Sequence, residues 1–391
     1  CGTMDYYDGS RFAQNGVIVV TINYRLGALG FLALETLQKQ YGTTGNWGTL
    51  DQLAALTWTK ENIVAFGGDP DCITIAGESA GSFSVSNLVM SPRAKGLFRR
   101  AVMQSGCLLS NPAAVPFTKS QLEPSIEMSR RYAALFGAED SEEGLALLRR
   151  ADPKVLWEKG WFSSDVTEAC PYAFWPVLDG AVLPYDPQDA LLHGEWNQAD
   201  FLIGYTRDEG AVFLSERTTP EGVETYLQHL FGSHLPQVME YYRGSGKLEM
   251  LADIVTYAYF KTGMTELKNR LSAGGQTVYG YQFEFTPDGS YPLKQLGAHH
   301  AVDILYTFGT IGRSGLLHGE GDRIVEEQMH RMWCNFVACG NPNRGLQLPE
   351  RTYWERYTQE DPKIFYFGRE MRCEPAMDQE KIEFLARLLV R

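Results

Sequence analysis

Gly77-Glu78-Ser79-Ala80-Gly81 is the stretch of this sequence best suited to chemistry. A short apolar run, Ile73-Thr74-Ile75-Ala76, leads straight into it, and a helical pattern from Ala80 to Met90 follows. A serine on such a strand-to-helix turn stands clear of the sheet edge at a helix N-terminus. There the backbone N–H of Ala80 can donate to a developing oxyanion. The turn is tight, and glycine at 77 and 81 removes side chains that would collide with the adjoining strand and helix. A free serine is a weak nucleophile and needs a general base held by an acid. In the chain order of this motif the acid and then a histidine follow the serine. Seven histidines qualify as the base, at 193, 229, 234, 299, 300, 318 and 330, and residue type alone does not choose among them.

The surrounding pattern supplies the elements that such a site needs. The β-branched run Gly16 to Tyr24 reads as a buried parallel strand, followed by a glycine-rich stretch from Gly42 to Gly48 and a helix over about 51–65. Gly67-Gly68-Asp69-Pro70 stops that helix. A strand at Ala101-Val102-Met103 follows the helix after Ser79. Strand, helix, strand, helix, strand marks a parallel α/β sheet. The segment 108–200 reads as helical and polar, Phe201-Leu202-Ile203-Gly204 as a strand, and 211–272 as a second helical insertion. Strands over 278–285 and 364–367, a helix around 325–339 and a terminal helix from about 378 complete the pattern. No repeat or linker interrupts it, so the expectation is one α/β domain with helical insertions.

Composition narrows the classes of function. The 391 residues carry 35 basic and 48 acidic side chains, a formal charge of −13, with 44% hydrophobic residues. That balance describes a globular chain and excludes nucleic acid as the main partner, because phosphate binding needs a basic surface. No apolar run approaches the roughly 18 residues of a membrane-spanning helix. The seven cysteines are sparse and lack a C-x-x-C pair, and no N-x-[S/T] sequon occurs. These features favour a bacterial cytoplasmic setting over a secreted one.

Several ordered motifs resemble the type-B carboxylesterase/cholinesterase family. They are Asn23-Tyr24-Arg25-Leu26-Gly27, Gly45-Asn46, Ala65-Phe66-Gly67-Gly68-Asp69-Pro70, the Ser79 turn and Gln104-Ser105-Gly106. Pro176-Val177-Leu178-Asp179-Gly180, Asp208-Glu209-Gly210, Gly297-Ala298-His299-His300 and Gly340-Asn341-Pro342-Asn343 continue the likeness to the C-terminus. The resemblance implies an α/β-hydrolase fold, with a mostly parallel central sheet flanked by helices. It implies Ser79 as nucleophile, Glu209 as acid and His300 as base, with His299 the rival that the family's Gly-x-x-His spacing rejects. It also implies supporting roles for Glu78, Ser105 and Asp303.

The implied function is a serine carboxylesterase acting on small neutral esters through an acyl-enzyme, with no metal and no organic cofactor. Two alternatives stand beside it. One is a non-catalytic scaffold domain of the same fold. The other is an inactive fragment, because the family places an oxyanion-hole glycine run upstream of the segment matching Tyr7-Asp8-Gly9, and this sequence starts at Cys1.

Overall fold

The computed structural model describes residues 2–109, 121–160, 172, 174–215, 218–289, 294–313 and 319–389. Its frame is a six-stranded sheet in sequential order: β1 Thr74–Glu78, β2 Arg100–Gln104, β3 Asp200–Thr206, β4 Val278–Phe283, β5 Lys363–Phe367 and β6 Arg372–Pro375. The first five strands are parallel and β6 is antiparallel to β5. Alternate residues of each strand enter two different cores. Ala101, Met103, Phe201, Ile203, Ile364 and Tyr366 face one; Val102, Leu202, Phe365 and Phe367 face the other. Both faces are apolar, so the strands read as continuous hydrophobic runs.

Helices cover both faces. On the first lie α1 Trp47–Asn62, α2 Ala80–Met90, α3 Thr262–Ala273 and α6 Gln379–Leu388, through Leu56, Leu88, Leu267 and Leu385 among others. On the second lie α4 Asp303–Phe308 and α5 Glu320–Cys339, through Tyr306, Met329 and Trp333. Helix α2 spans the residues expected from the sequence, and the expectations for β1 to β5 hold to within two residues at each end. Helices Leu122–Ala134, Glu142–Arg150, Pro153–Lys159 and Pro187–His193 fill much of the middle segment. The parts of that segment at 110–120, 161–171 and 173 lie outside the described residues, as does His318. Among the described residues, no helix is long and apolar enough to cross a membrane.

The expected strand over Gly16 to Tyr24 is not one. No ladder pairs it, β1 hydrogen-bonds only to β2, and Ile18, Val20 and Ile22 are 45%, 44% and 38% exposed. A β-branched run favours extended backbone, but a strand also needs a partner, which residue types do not report.

Helix α3 carries a buried cation. Lys268 is 1% exposed, its ammonium 4.8 Å from the Tyr205 ring and 5.1 Å from that of Tyr357. Burial, with Lys261 adding to it and Asp378 opposing, lowers its pKa to about 7. The ring faces offset only part of this penalty. A folded pKa below the unfolded one means the penalty is full below pH 7 and fades as pH rises towards the ordinary lysine value near 10.4. Lys268→Met should therefore raise Tm at pH 6 by roughly 2 °C or more, and the gain should shrink by pH 10. Thermal melts across that range check it; a gain that grows with pH contradicts it.

Candidate active site

The turn after β1 is strained as its sequence demands. Ser79 has φ 53° and ψ −119°, and α2 begins at the next residue. The Ser79 N–H donates to Gln104 O at 2.9 Å, tying the turn to β2. Gly77 is obligatory, since a Cβ there would lie 2.2 Å from Gly81 O. Gly81 differs from expectation: a Cβ there meets nothing within 4 Å. The crowding is between Gly77 and the Gly81 backbone, so only the first glycine is needed for space. Ala80 opens α2, and N–H groups of a first helical turn have no acceptor within the helix. The Ala80 N–H, expected from the sequence as an oxyanion donor, is one of these first-turn groups.

Glu209 follows β3 by three residues, in a turn that packs closely on the helix Lys247–Val255. Gly210 makes this approach possible, because a Cβ there would lie 1.9 Å from Ala252 O; its N–H donates to Thr256 Oγ1 at 2.8 Å. The Glu209 carboxylate is fully buried. Its Oε1 accepts from Thr206 N at 2.7 Å, and its Oε2 accepts from His300 Nδ1 at 2.5 Å. His300 lies on the loop after β4. Asp208 pins that loop, accepting from Ala298 N at 2.8 Å while its own N–H donates to Ala298 O at 3.0 Å. His299 turns the other way and donates from Nδ1 to His300 O at 2.8 Å. The structure thus brings Glu209 to His300 and not to His299.

The other nitrogen of His300 faces a second carboxylate, with Glu78 Oε1 3.3 Å from Nε2. In this conformation no hydrogen bond joins Ser79 Oγ to His300. Asp303, fully buried on α4, accepts from Gln104 Nε2 at 3.0 Å and from Tyr281 OH at 2.8 Å. Three acids therefore surround one imidazole. Burial pushes Glu78 up to about 8, with Asp303 and Glu209 adding and His300 opposing. Burial likewise pushes Asp303 up to about 6 against its two donors. For His300 burial pulls downward, but Glu78 and Glu209 outweigh it and raise the imidazole to about 9. Ser105 is buried at φ 55°, with its N–H on Gly204 O at 2.8 Å and its Oγ without a hydrogen bond.

The sequence reading missed the rings that hold the histidine. Phe213 and Phe260 lie 5.1 and 5.0 Å from the His300 ring, centroid to centroid. Phe213 is four residues past Glu209, a spacing that offered a signal. Phe260 lies in a π-helical turn, Thr256–Lys261, which no residue pattern announces. Met264, just beyond it, accepts from Gly106 N at 3.1 Å.

A cavity of about 310 Å³ opens beside the turn. One wall is the α2 stripe Ala80, Phe83, Ser84 and Asn87; facing it are Tyr24, Phe31, Trp157, Tyr172, Phe174 and Trp175, and among the described residues no charged side chain lines it. Its size sits at the low end of small-molecule sites. Among the described residues, no group of three His, Cys, Asp or Glu is placed to hold a metal ion.

Known proteins share this arrangement of strands and sequence. Para-nitrobenzyl esterase of Bacillus subtilis (strain 168) is 32% identical over 402 residues, covering 97% of this chain and 75% of its own. Bile salt-activated lipase of Rattus norvegicus is 32% identical over 414 residues, with 97% of this chain and 64% of its own length covered. A solved PNB esterase structure superposes with a TM-score of 0.82 at 30% identity, covering 98% of this chain and 78% of that one. The model of the carboxylesterase family matches residues 1–385. With the α/β-hydrolase sheet in place and the family matched along nearly its whole length, this chain belongs to the carboxylesterase family, a family of carboxylic ester hydrolases.

Proposed function

We propose that this protein is a serine hydrolase of carboxylic esters that works through Ser79, His300 and Glu209. The observation that carries this reading is the 2.5 Å contact of His300 Nδ1 with Glu209 Oε2, on the loops beside a serine held at positive φ. In this scheme Glu209 fixes the imidazole so that Nε2 is the nitrogen left for chemistry. Ser79 Oγ attacks the ester carbonyl and passes its proton to Nε2. The Ala80 N–H stabilises the oxyanion, and His300 then protonates the leaving alkoxide. Water repeats the sequence on the acyl-enzyme. The absence of a Ser79–His300 hydrogen bond is compatible with this, since catalytic hydrogen bonds often close only around substrate.

The cavity supports a substrate class. Its aromatic, uncharged lining suits a neutral ester with an apolar acyl or alcohol group. Ala80, Phe83, Ser84 and Asn87 recur at helical spacing, so the stripe extends roughly 10 Å along α2 from the residue after the nucleophile.

Ser79→Ala should lower kcat for a p-nitrophenyl ester by about 10⁴-fold or more and abolish labelling by a fluorophosphonate, with the fold unchanged by circular dichroism. Retained activity or labelling refutes the assignment. Glu209→Gln should lower kcat by about 10³- to 10⁴-fold; an unaffected kcat removes Glu209 from the scheme. Ser84→Leu, placed within the stripe, should cut kcat/KM for a naphthyl ester about tenfold relative to an acetate of a small alcohol. Equal losses on both substrates would show that the cavity does not receive the substrate.

A further inference from the structure

Residues 78 and 79 are adjacent in the chain, so their Cα atoms are about 3.8 Å apart, and the triad proposed above needs Ser79 at the His300 nitrogen that Glu78 faces. Only Glu78 reaches it here, with Oε1 3.3 Å from Nε2. That oxygen is buried and has no hydrogen-bond partner among the described residues, so its approach to Nε2 is an ion-pair contact. The imidazole is restrained elsewhere, by Glu209 on Nδ1 and by Phe213 and Phe260 against the ring. The freedom left is a small swing about the Nδ1 contact, which carries Nε2 from the carboxylate of residue 78 towards the hydroxyl of residue 79.

We propose that Glu78 competes with Ser79 for His300 Nε2, so that the enzyme rests with the imidazole parked on Glu78 and engages when that contact is released. The inference builds on the triad proposed above and adds a regulatory step to it. In the parked state Nε2 carries a proton and is paired by charge with Glu78, leaving no lone pair to accept the proton of Ser79. Engagement requires that this proton pass to solvent, after which the neutral Nε2 turns to the Ser79 hydroxyl.

The groups facing the pair favour parking at neutral pH. Glu209 reaches His300 from the turn after β3, Asp303 from α4, and Glu78 from the end of β1, and all three act to keep the imidazole charged. Tyr7 lies close enough to Glu78 for that carboxylate to help raise its own pKa, and it brings no positive charge. Burial lowers the pKa of His299. Glu78 and His300 interact strongly enough to lose protons as a pair rather than singly. The acid limb of activity therefore belongs to that pair and should lie above the ordinary histidine value near 6.5.

The test compares wild type, Glu78→Gln and Glu78→Asp. Two readouts are followed against pH: kcat/KM for a short-chain aryl ester, and the rate of fluorophosphonate labelling. Glutamine cannot hold the charge, so the acid limb of both should move down by about one pH unit or more; aspartate should bring it part of the way back. A limb in the same place for wild type and Glu78→Gln, even with kcat uniformly reduced, overturns the proposal, because a purely structural glutamate would behave that way. Imidazole ¹⁵N NMR on the wild type gives a check that needs no variant. His300 Nε2 should stay protonated above pH 7.5, and loss of its proton below pH 7 overturns parking. Absence of labelling at every pH would refute the triad itself, which is a different failure from a labelled enzyme with an unmoved limb.

Discussion

The bond between His300 Nδ1 and Glu209 Oε2 is the constraint on which the rest of the site depends. Its partners are 91 residues apart, and neither lies on regular sheet. A contact of 2.5 Å leaves little tolerance, so the two loops must be fixed independently of each other and then to each other. The parallel pairing of β3 and β4 sets their starting points. Gly210 lets the acid turn press on the helix behind it, and Asp208 closes the gap by holding Ala298 from both its backbone and its side chain. The insertion between β3 and β4 then supplies Phe260, so a segment outside the sheet still reaches the imidazole.

Placing several acids around one buried histidine has an electrostatic cost that the surroundings offset unevenly. Glu209 receives a backbone N–H and the imidazole; Asp303 receives Gln104 and Tyr281. Glu78 has the weakest support: its Oε1 accepts no hydrogen bond, and among the described residues His300 is the cation paired with it. A buried carboxyl needs a neighbouring cation to stay ionised, and here the one beside the nucleophile relies on His300. The backbone shows the same concentration of unfavourable terms. The non-glycine residues at positive φ among those described are Ser79, Ser105 and Ala301, which follow β1, β2 and the catalytic-histidine candidate in turn. Such strain survives only where the surrounding fold over-determines it, and it clusters where function requires it.

Much of this was legible in the sequence, for reasons that can be stated. Helix α2 was legible because the glycine-serine turn marks its start and a helical pattern runs from Ala80 to Met90. The central strands were legible because a two-faced core needs uninterrupted apolar residues. His300 was separated from His299 by family resemblance, not by physics, and the reason is now visible: the two neighbours differ only in which way the loop turns them. The unpaired run near Val20 failed because β-propensity describes a residue and pairing describes two segments. Strand β6 was missed because Arg372–Pro375 is short, partly exposed and polar at the sheet edge. The π-helical turn that places Phe260 leaves no periodic trace, since it adds one residue to a helix that otherwise looks regular.

Helix α2 couples steps of the chemistry that are usually discussed separately. Its first residue carries the N–H proposed as the oxyanion donor, and its stripe of Ala80, Phe83, Ser84 and Asn87 forms one wall of the aromatic cavity. Phe83 belongs to both arrangements: it lines the cavity and also occupies the space a Cβ on Gly106 would need, under the loop that follows β2. A bulkier group pressed against Phe83 therefore pushes on the loop bearing Ser105 and Gly106 as well as on α2. Because protein interiors are packed at near-crystalline density, such a push is transmitted rather than absorbed. Under the proposed function, the size of the substrate's apolar group and the position of the oxyanion donor are therefore coupled through Phe83. Residues further along the stripe, Ser84 and Asn87, are removed from that contact and can change what the cavity accepts with less disturbance of the turn.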